Sequence, residues 1–147
     1  MILSNNEVFD INVFGLFTTT QAVAKQMIKT NTPGSIILIS RMSSLIVNIP
    51  QPRAAYNASK AVVVHLARSL AVEFAPHGIR VNSLAPGYMH TPLVQAIMEK
   101  GGESYTRYWR DGSPLNRLGQ PDELMGTEHA NSFLRCRGGR FHGKRCK

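Results

Sequence analysis

Tyr56 and Lys60 stand four residues apart in Ala55-Tyr56-Asn57-Ala58-Ser59-Lys60, a stretch that runs without a helix breaker to Phe74. On a helix that spacing puts the two side chains one turn apart on one face. An ammonium held beside a phenol favours the phenolate, because opposite charge stabilises the ionised form. An ordinary phenol, with a pKa of about 10, exchanges a proton poorly near neutrality, whereas a phenol tuned in this way is a usable general acid or base. Taken alone, a Tyr-x-x-x-Lys pair reads as a half-buried aromatic beside a solvated lysine. Its surroundings therefore decide its meaning.

The elements that would position the pair read as follows. Glu7 to Lys29 is expected to be a helix, with Val8, Ile11, Phe14 (or Gly15), Thr18, Ala22 and Met27 at roughly helical spacing. Asn12 lies within it, where asparagine is mildly unfavourable and ordinarily faces water. Thr32-Pro33-Gly34 signals a turn. Ser35 to Ser40 then carries four consecutive aliphatics, which predicts a strand of a parallel sheet covered on both faces. Arg41-Met42-Ser43-Ser44 and a proline-bearing loop lead to a long helix from about Ala54 to Phe74. Pro76-His77-Gly78 stops it, and Ile79 to Leu84 is a second strand. Ala85-Pro86-Gly87-Tyr88 turns the chain. Thr91 and Pro92 suit the cap and first position of a helix through about Glu99. Gly101 to Arg117, with Tyr105, Tyr108 and Trp109, is expected to be a flexible surface segment. Pro121-Asp122-Glu123-Leu124 opens another helix.

The order helix, strand, helix, strand, helix is that of a βαβ crossover, so the fold class is α/β. In such sheets ligands bind beyond the carboxyl ends of the strands. Ser40–Ser44 and Ala85–Thr91 both fall there, and Tyr56–Lys60 begins the helix that follows the first of them. Three polar groups thus converge on one edge.

A chain of 147 residues suits one domain with one core, and 43% hydrophobic content suits a globular protein. No apolar run approaches the roughly 20 residues of a membrane helix. The start has no basic end followed by an apolar stretch, so the expected location is the cytoplasm, with no membrane partner. Cys136 and Cys146 form neither a disulfide framework nor a metal motif. The net charge of +8 is uneven: residues 126–147 hold six Lys/Arg against Glu128 alone. Such an end can bind phosphates non-specifically. It carries no recognisable nucleic-acid module, so no specific nucleic-acid partner is expected. Residues 127–147 read as a poorly ordered basic tail.

Five motifs in order resemble the short-chain dehydrogenase/reductase family. They are Asn12-Val13-Phe14-Gly15, Gly34-Ser35-Ile36-Ile37-Leu38-Ile39-Ser40, Tyr56-Asn57-Ala58-Ser59-Lys60, Ile79-Arg80-Val81-Asn82-Ser83 with Pro86-Gly87, and Arg117-Leu118-Gly119-Gln120-Pro121. The loop Ile46-Val47-Asn48-Ile49-Pro50-Gln51 is similar to the fungal polyol dehydrogenase and ketose or xylulose reductase branch. The resemblance spans roughly residues 8–125. It implies a partial Rossmann-like, doubly wound parallel sheet, the C-terminal half of that fold, over residues 1–126.

Residue by residue, the resemblance makes Tyr56 the group that exchanges a proton with the substrate oxygen. Lys60 lowers its pKa and hydrogen-bonds the nicotinamide ribose, and Asn12 holds a water behind the lysine. Pro86, Gly87, Met89 and Thr91 match the loop that packs on the nicotinamide. The family's serine falls on Arg41 when counted along the strand, and on Ser43 when counted back from Tyr56. Ser43, with Ser40 beside it, is a candidate for holding the substrate oxygen. The implied function is an NAD(P)-dependent oxidoreductase, with NADP or NAD, interconverting a ketone or aldehyde and an alcohol of the sugar or polyol class. A homo-oligomer through the helices carrying Asn12 and Tyr56 is also implied. Two features depart from the family. No Gly-rich turn follows a strand here, and after Met125 the sequence leaves the family pattern abruptly, as a shifted reading frame would make it do. The alternative expectation is an inactive remnant or a subunit that docks on a longer relative.

Overall fold

The computed structural model describes residues 4–47, 53–99 and 103–126. Ser4 opens the first helix. Its hydroxyl accepts a hydrogen bond from the Glu7 amide at 3.3 Å, and its own amide donates to Glu7 Oε2 at 2.6 Å. This reciprocal capping box satisfies two otherwise orphaned donors of α1 (Asn5–Phe9). The same bonds hold the Glu7 carboxyl below its usual pKa.

The chain continues through a π-helical stretch, Asp10–Gly15, into α2 (Leu16–Lys29). Gly15 suits this wider winding: a Cβ there would lie 3.2 Å from the Asp10 carbonyl oxygen. The π stretch also shifts the phase of the helix. Ile11 and Phe14 of the expected apolar stripe are 63% and 61% exposed. Thr18 and Ala22 face outward as well, while Thr20 and Ala24 are buried. A strictly 3.6-residue period cannot be carried across an i→i+5 turn, which is why the stripe misreads the inner face.

β1 (Gly34–Ile39) and β2 (Ile79–Leu84) pair in parallel, with Gly34 opposite Ile79 and Ile39 opposite Leu84. They are joined by α3 (Ala54–Phe74). The parallel α/β class and the bounds of α3 and β2 agree with the sequence reading. The burial of β1 does not. Leu38 is the one fully buried side chain of that strand, and Ile39 is 47% exposed. Among the described residues the sheet has two strands, so β1 lacks the neighbours that would cover it on every side.

The core is built on one stripe of α3. Ser59, Val63, Ala67 and Leu70, spaced at i, i+4, i+8 and i+11, are buried. The apolar three pack with Leu38 and Val81, flanked by Leu16, Phe17, Ile36 and Phe74. Leu70→Ala would empty the centre of this cluster, at about 2–5 kcal/mol. A single 3-10 turn, Ala75–His77, ends α3, and Gly78 takes the left-handed φ of 69° that the turn into β2 requires.

Beyond β2, Thr91 caps α4 (Pro92–Glu99), its hydroxyl accepting from the Val94 amide at 3.4 Å. The segment expected to be flexible instead contains a helix, α5 (Glu103–Asp111). Thr106 and Trp109, one turn apart, are buried, while Arg107, Tyr108 and Arg110 face outward. One large indole on a single face suffices to dock a short polar helix. The indole stacks on Tyr88 with ring centroids 5.0 Å apart. Pro121–Leu124 is a 3-10 turn that runs into two helical residues, Met125 and Gly126, the last of the described residues. Residues 127–147, with the expected basic tail and both cysteines, lie outside the described residues, as do residues 48–51 of the polyol-like loop. Among the described residues no helix is long and apolar enough to cross a membrane.

Candidate active site

The carboxyl end of β1 holds Lys60 at two points. Its Nζ donates a hydrogen bond to the Ile39 carbonyl oxygen at 3.1 Å. Its own carbonyl accepts from Ser40 Oγ at 2.8 Å. The ammonium thus lies at the end of the strand, 5.9 Å from the centre of the Tyr56 ring. Burial pushes the Lys60 pKa below its usual value, and the positive charge of Arg41 lowers it further.

A second chain of bonds ties the π stretch to the start of α3. Asn12 Nδ2 donates to Ser59 Oγ at 3.1 Å, and Ser59 Oγ donates to the Tyr56 carbonyl oxygen at 2.8 Å. Ser59 is 0% exposed, so these bonds are made away from water. π turns recur where a helix must present a polar group out of phase, and Asn12 sits within this one. Asn12, Tyr56 and Lys60, called from the sequence, therefore meet on one edge. Ser59, the residue that joins them, was not singled out there. Its signal was available: it is the one polar member of the buried i, i+4 stripe of α3.

The two positions for the family's serine lie in different surroundings. Arg41 is extended (φ −162°, ψ 160°), and its guanidinium lies over the Tyr88 ring, 5.4 Å from the centroid. Ser43, in the 3-10 turn Met42–Ser44, is 4% exposed, and its hydroxyl has no hydrogen-bond partner among the described residues.

The loops at the two strand ends are knitted together. The Met42 amide donates to the Pro86 carbonyl at 2.9 Å, and the Ser40 amide to the Leu84 carbonyl at 2.7 Å. Gly87 lies beside Met42, whose sulfur would meet a Cβ at 3.8 Å, an ordinary contact. Met89 forms a bridge with Gly119, and the thioether fills the space that a Cβ on Gly119 would need. Thr91 spends one lone pair on the α4 cap. A cavity of about 600 Å³ opens here, lined by Met42, Gly87, Tyr88, Met89, Tyr108 and Trp109 among others. Tyr56 and Lys60 are not in its wall; they stand on the adjoining edge.

Residues 4–129 match a family model described as Enoyl-(Acyl carrier protein) reductase. The chain belongs to the short-chain dehydrogenase/reductase family. Among its relatives is a D-arabinitol 2-dehydrogenase (ribulose-forming) of Candida tropicalis, 47% identical over 120 residues, or 82% of this chain and 42% of that one. An NADH-dependent L-xylulose reductase of Ambrosiozyma monospora is 45% identical over 118 residues, covering 80% of this chain and 43% of the relative. A crystal structure of a short-chain type dehydrogenase/reductase from Mycobacterium marinum superposes with a TM-score of 0.79 at 42% identity, over 88% of this chain and 51% of that one. The chain thus spans less than half the length of the curated relatives it matches.

Proposed function

We propose that the protein is an NAD(P)-dependent oxidoreductase that interconverts a ketone or aldehyde and an alcohol of the sugar or polyol class. The observation that carries this reading is the Tyr56–Lys60 turn held against the carboxyl end of β1 by the bond from Lys60 Nζ to the Ile39 carbonyl. The names of the arabinitol and xylulose relatives support the substrate class. The same turn, tied to Asn12 through Ser59, favours an enzyme over an inactive remnant or a docking subunit.

The residues fit the nicotinamide end of a dinucleotide. Lys60 Nζ and the hydroxyls of Tyr56 and Thr91 are donors at the two strand ends. Pro86, Gly87 and Met89 form a loop wall that a flat ring can approach. When bound, the dinucleotide supplies or accepts the hydride. In the reductive direction Tyr56 gives its phenolic proton to the substrate oxygen; in the oxidative direction it takes that proton. Lys60 offsets the negative charge that builds on this oxygen. Asn12 acts from behind, through Ser59 and the water relay implied by the family. Ser43, with a buried hydroxyl still to be spent, or Arg41 holds the substrate oxygen.

We assign NADP or NAD without distinction of the phosphate. The residues that would read it lie around the adenosine ribose, whereas the residues named here meet the nicotinamide end. Residues 1–126 act as the catalytic half of a dinucleotide-binding domain, with 127–147 as a basic tail, in the cytoplasm. The exposed Ile11 and Phe14, beside Asn12, support a homo-oligomer. Fluorescence titration of the purified chain with NADPH and NADH, followed by turnover with D-arabinitol and L-xylulose, tests the reading. Tyr56→Phe is expected to leave cofactor binding in place and to lower turnover by about 10²–10⁴-fold. Absence of cofactor binding, or unchanged turnover in Tyr56→Phe, refutes it.

A further inference from the structure

Among the described residues Arg41 has no ion-pair partner. Its guanidinium carbon lies over the Tyr88 ring, 5.4 Å from the centroid, and Tyr88 is itself stacked on Trp109. The ion pairs among the described residues are Arg107–Asp111 and Arg117–Glu123, and Arg41 belongs to neither. Tyr88 feels the charges of Arg41 and Arg53 and the opposing phenol of Tyr108, and Lys60 feels that of Arg41. Among the described residues no carboxylate stands among these causes. Half-buried like charges on one edge repel one another and lose hydration unless an anion joins them.

The geometry leaves room for that anion. A guanidinium held over an aromatic face still presents a planar fork of N–H donors that suits a bidentate oxyanion. Tyr88 lines the 600 Å³ cavity, and Arg41, outside that lining, lies over the Tyr88 ring, with its charge also felt by the Lys60 ammonium. Neutral polyol hydroxyls at this place would leave the charge unmatched.

We propose that Arg41 selects an oxyanion-bearing sugar or polyol, a carboxylate or a phosphate ester, over a neutral one. The proposal rests on the site being a carbonyl/alcohol oxidoreductase centre, as argued above. It makes Arg41 a specificity-determining residue rather than a stand-in for a hydroxyl. The phosphates of the dinucleotide are the other possible source of an oxyanion, and the test separates them.

Calorimetric titration of the full chain with D-sorbitol, D-gluconate, sorbitol 6-phosphate and NADPH reads binding without requiring turnover. A charge-assisted pair predicts that gluconate or the phosphate ester binds roughly ten- to hundredfold tighter than sorbitol. Arg41→Ser should erase that preference and leave NADPH affinity within about threefold. Arg41→Lys should keep part of the preference, because it restores a point charge without the fork. Arg68→Ser, on the exposed side of α3, should change nothing. Equal affinity for sorbitol, gluconate and sorbitol 6-phosphate in the native chain overturns the proposal, with no variant needed. So does a preference that survives Arg41→Ser, a loss confined to NADPH, or the same loss in Arg68→Ser. Oxyanion selection through Arg41 without nicotinamide-dependent turnover would sink the oxidoreductase reading and not the recognition. Nicotinamide-dependent turnover in the native chain with no preference for gluconate or sorbitol 6-phosphate over sorbitol would do the reverse.

Discussion

Ser59 is where the chemistry of the site can be read as stability. Its hydroxyl donates to the Tyr56 carbonyl and accepts from the Asn12 amide, both inside the protein. Ser59→Ala removes two hydrogen bonds worth about 0.5–1.5 kcal/mol each and leaves the Asn12 amide unsatisfied, so the expected loss is about 2 kcal/mol. Asn12→Ala removes one of those bonds and leaves the other standing, for about 1 kcal/mol. Because the two substitutions share the Asn12–Ser59 bond, the double variant should lose about 2 kcal/mol rather than 3, a coupling of about 1 kcal/mol. Urea unfolding followed by circular dichroism measures all four corners of the cycle, and the slope should stay constant. Ser69→Ala is the control, since its exposed hydroxyl bonds only to the His65 carbonyl one turn back. It should cost less than about 0.5 kcal/mol. Strict additivity of Asn12→Ala and Ser59→Ala would refute the claim that this bond links the two helices.

Three further outcomes follow from the same geometry. Lys60 should titrate below the ordinary lysine value when followed by NMR of methylated lysines, and Arg41→Ser should raise its midpoint by less than half the shift, because burial is the larger cause. In sign, a lysine with a depressed folded pKa binds fewer protons folded than unfolded, so its contribution to stability rises as pH climbs through that pKa toward 10.5; Lys60→Met should flatten this alkaline rise. Arg117 holds the Glu123 carboxyl at about 2, helped by the Gln120 amide. The stabilisation from that clamp is complete above 4.5 and is lost as pH falls towards 2, so native and Glu123→Gln chains should converge in stability on acid titration. Gly78→Ala should destabilise by about 1–2 kcal/mol, from left-handed strain. The new Cβ would also press on Pro33 Cβ at 3.3 Å, and a melting temperature equal to the native one would exclude both effects.

The parts of the fold written as breakers and runs were legible. Pro76 and Gly78 bounded α3, the aliphatic run bounded β1, and Thr91-Pro92 announced α4. Those signals are local, because each rests on a dihedral or a missing donor of the residue itself. Features that depend on distant partners were not legible. The π stretch shows no period of its own, and its one local trace is Gly15, whose missing side chain lets Asp10 O approach. α5 was hidden because glycines flank it and its packing depends on Tyr88, an aromatic two elements away. The exposure of Ile39 was hidden for a related reason: an aliphatic run records the burial a strand is suited to, not the neighbours it has. At the site, the Tyr56–Lys60 spacing could be seen, but Ser59 read as filler between them.

Tyr56 and Lys60 are held by bonds from side chains to main-chain carbonyls. Lys60 is fixed by the carbonyl of Ile39 and by its own carbonyl to Ser40, and the Tyr56 turn by its carbonyl to Ser59. The accepting carbonyls cannot be removed by substitution, whereas the donors Lys60, Ser40 and Ser59 can. The cavity side is built differently. Arg41, Tyr88, Tyr108 and Trp109 come from loops and a short helix, outside β1 and α3. Membership of the family therefore speaks more directly to the reaction than to the molecule that undergoes it. The same asymmetry explains why the position of one serine matters so much here. With Arg41 over Tyr88 and a buried, unspent hydroxyl at Ser43, the group that meets the substrate oxygen and the group that selects the substrate need no longer be the same residue.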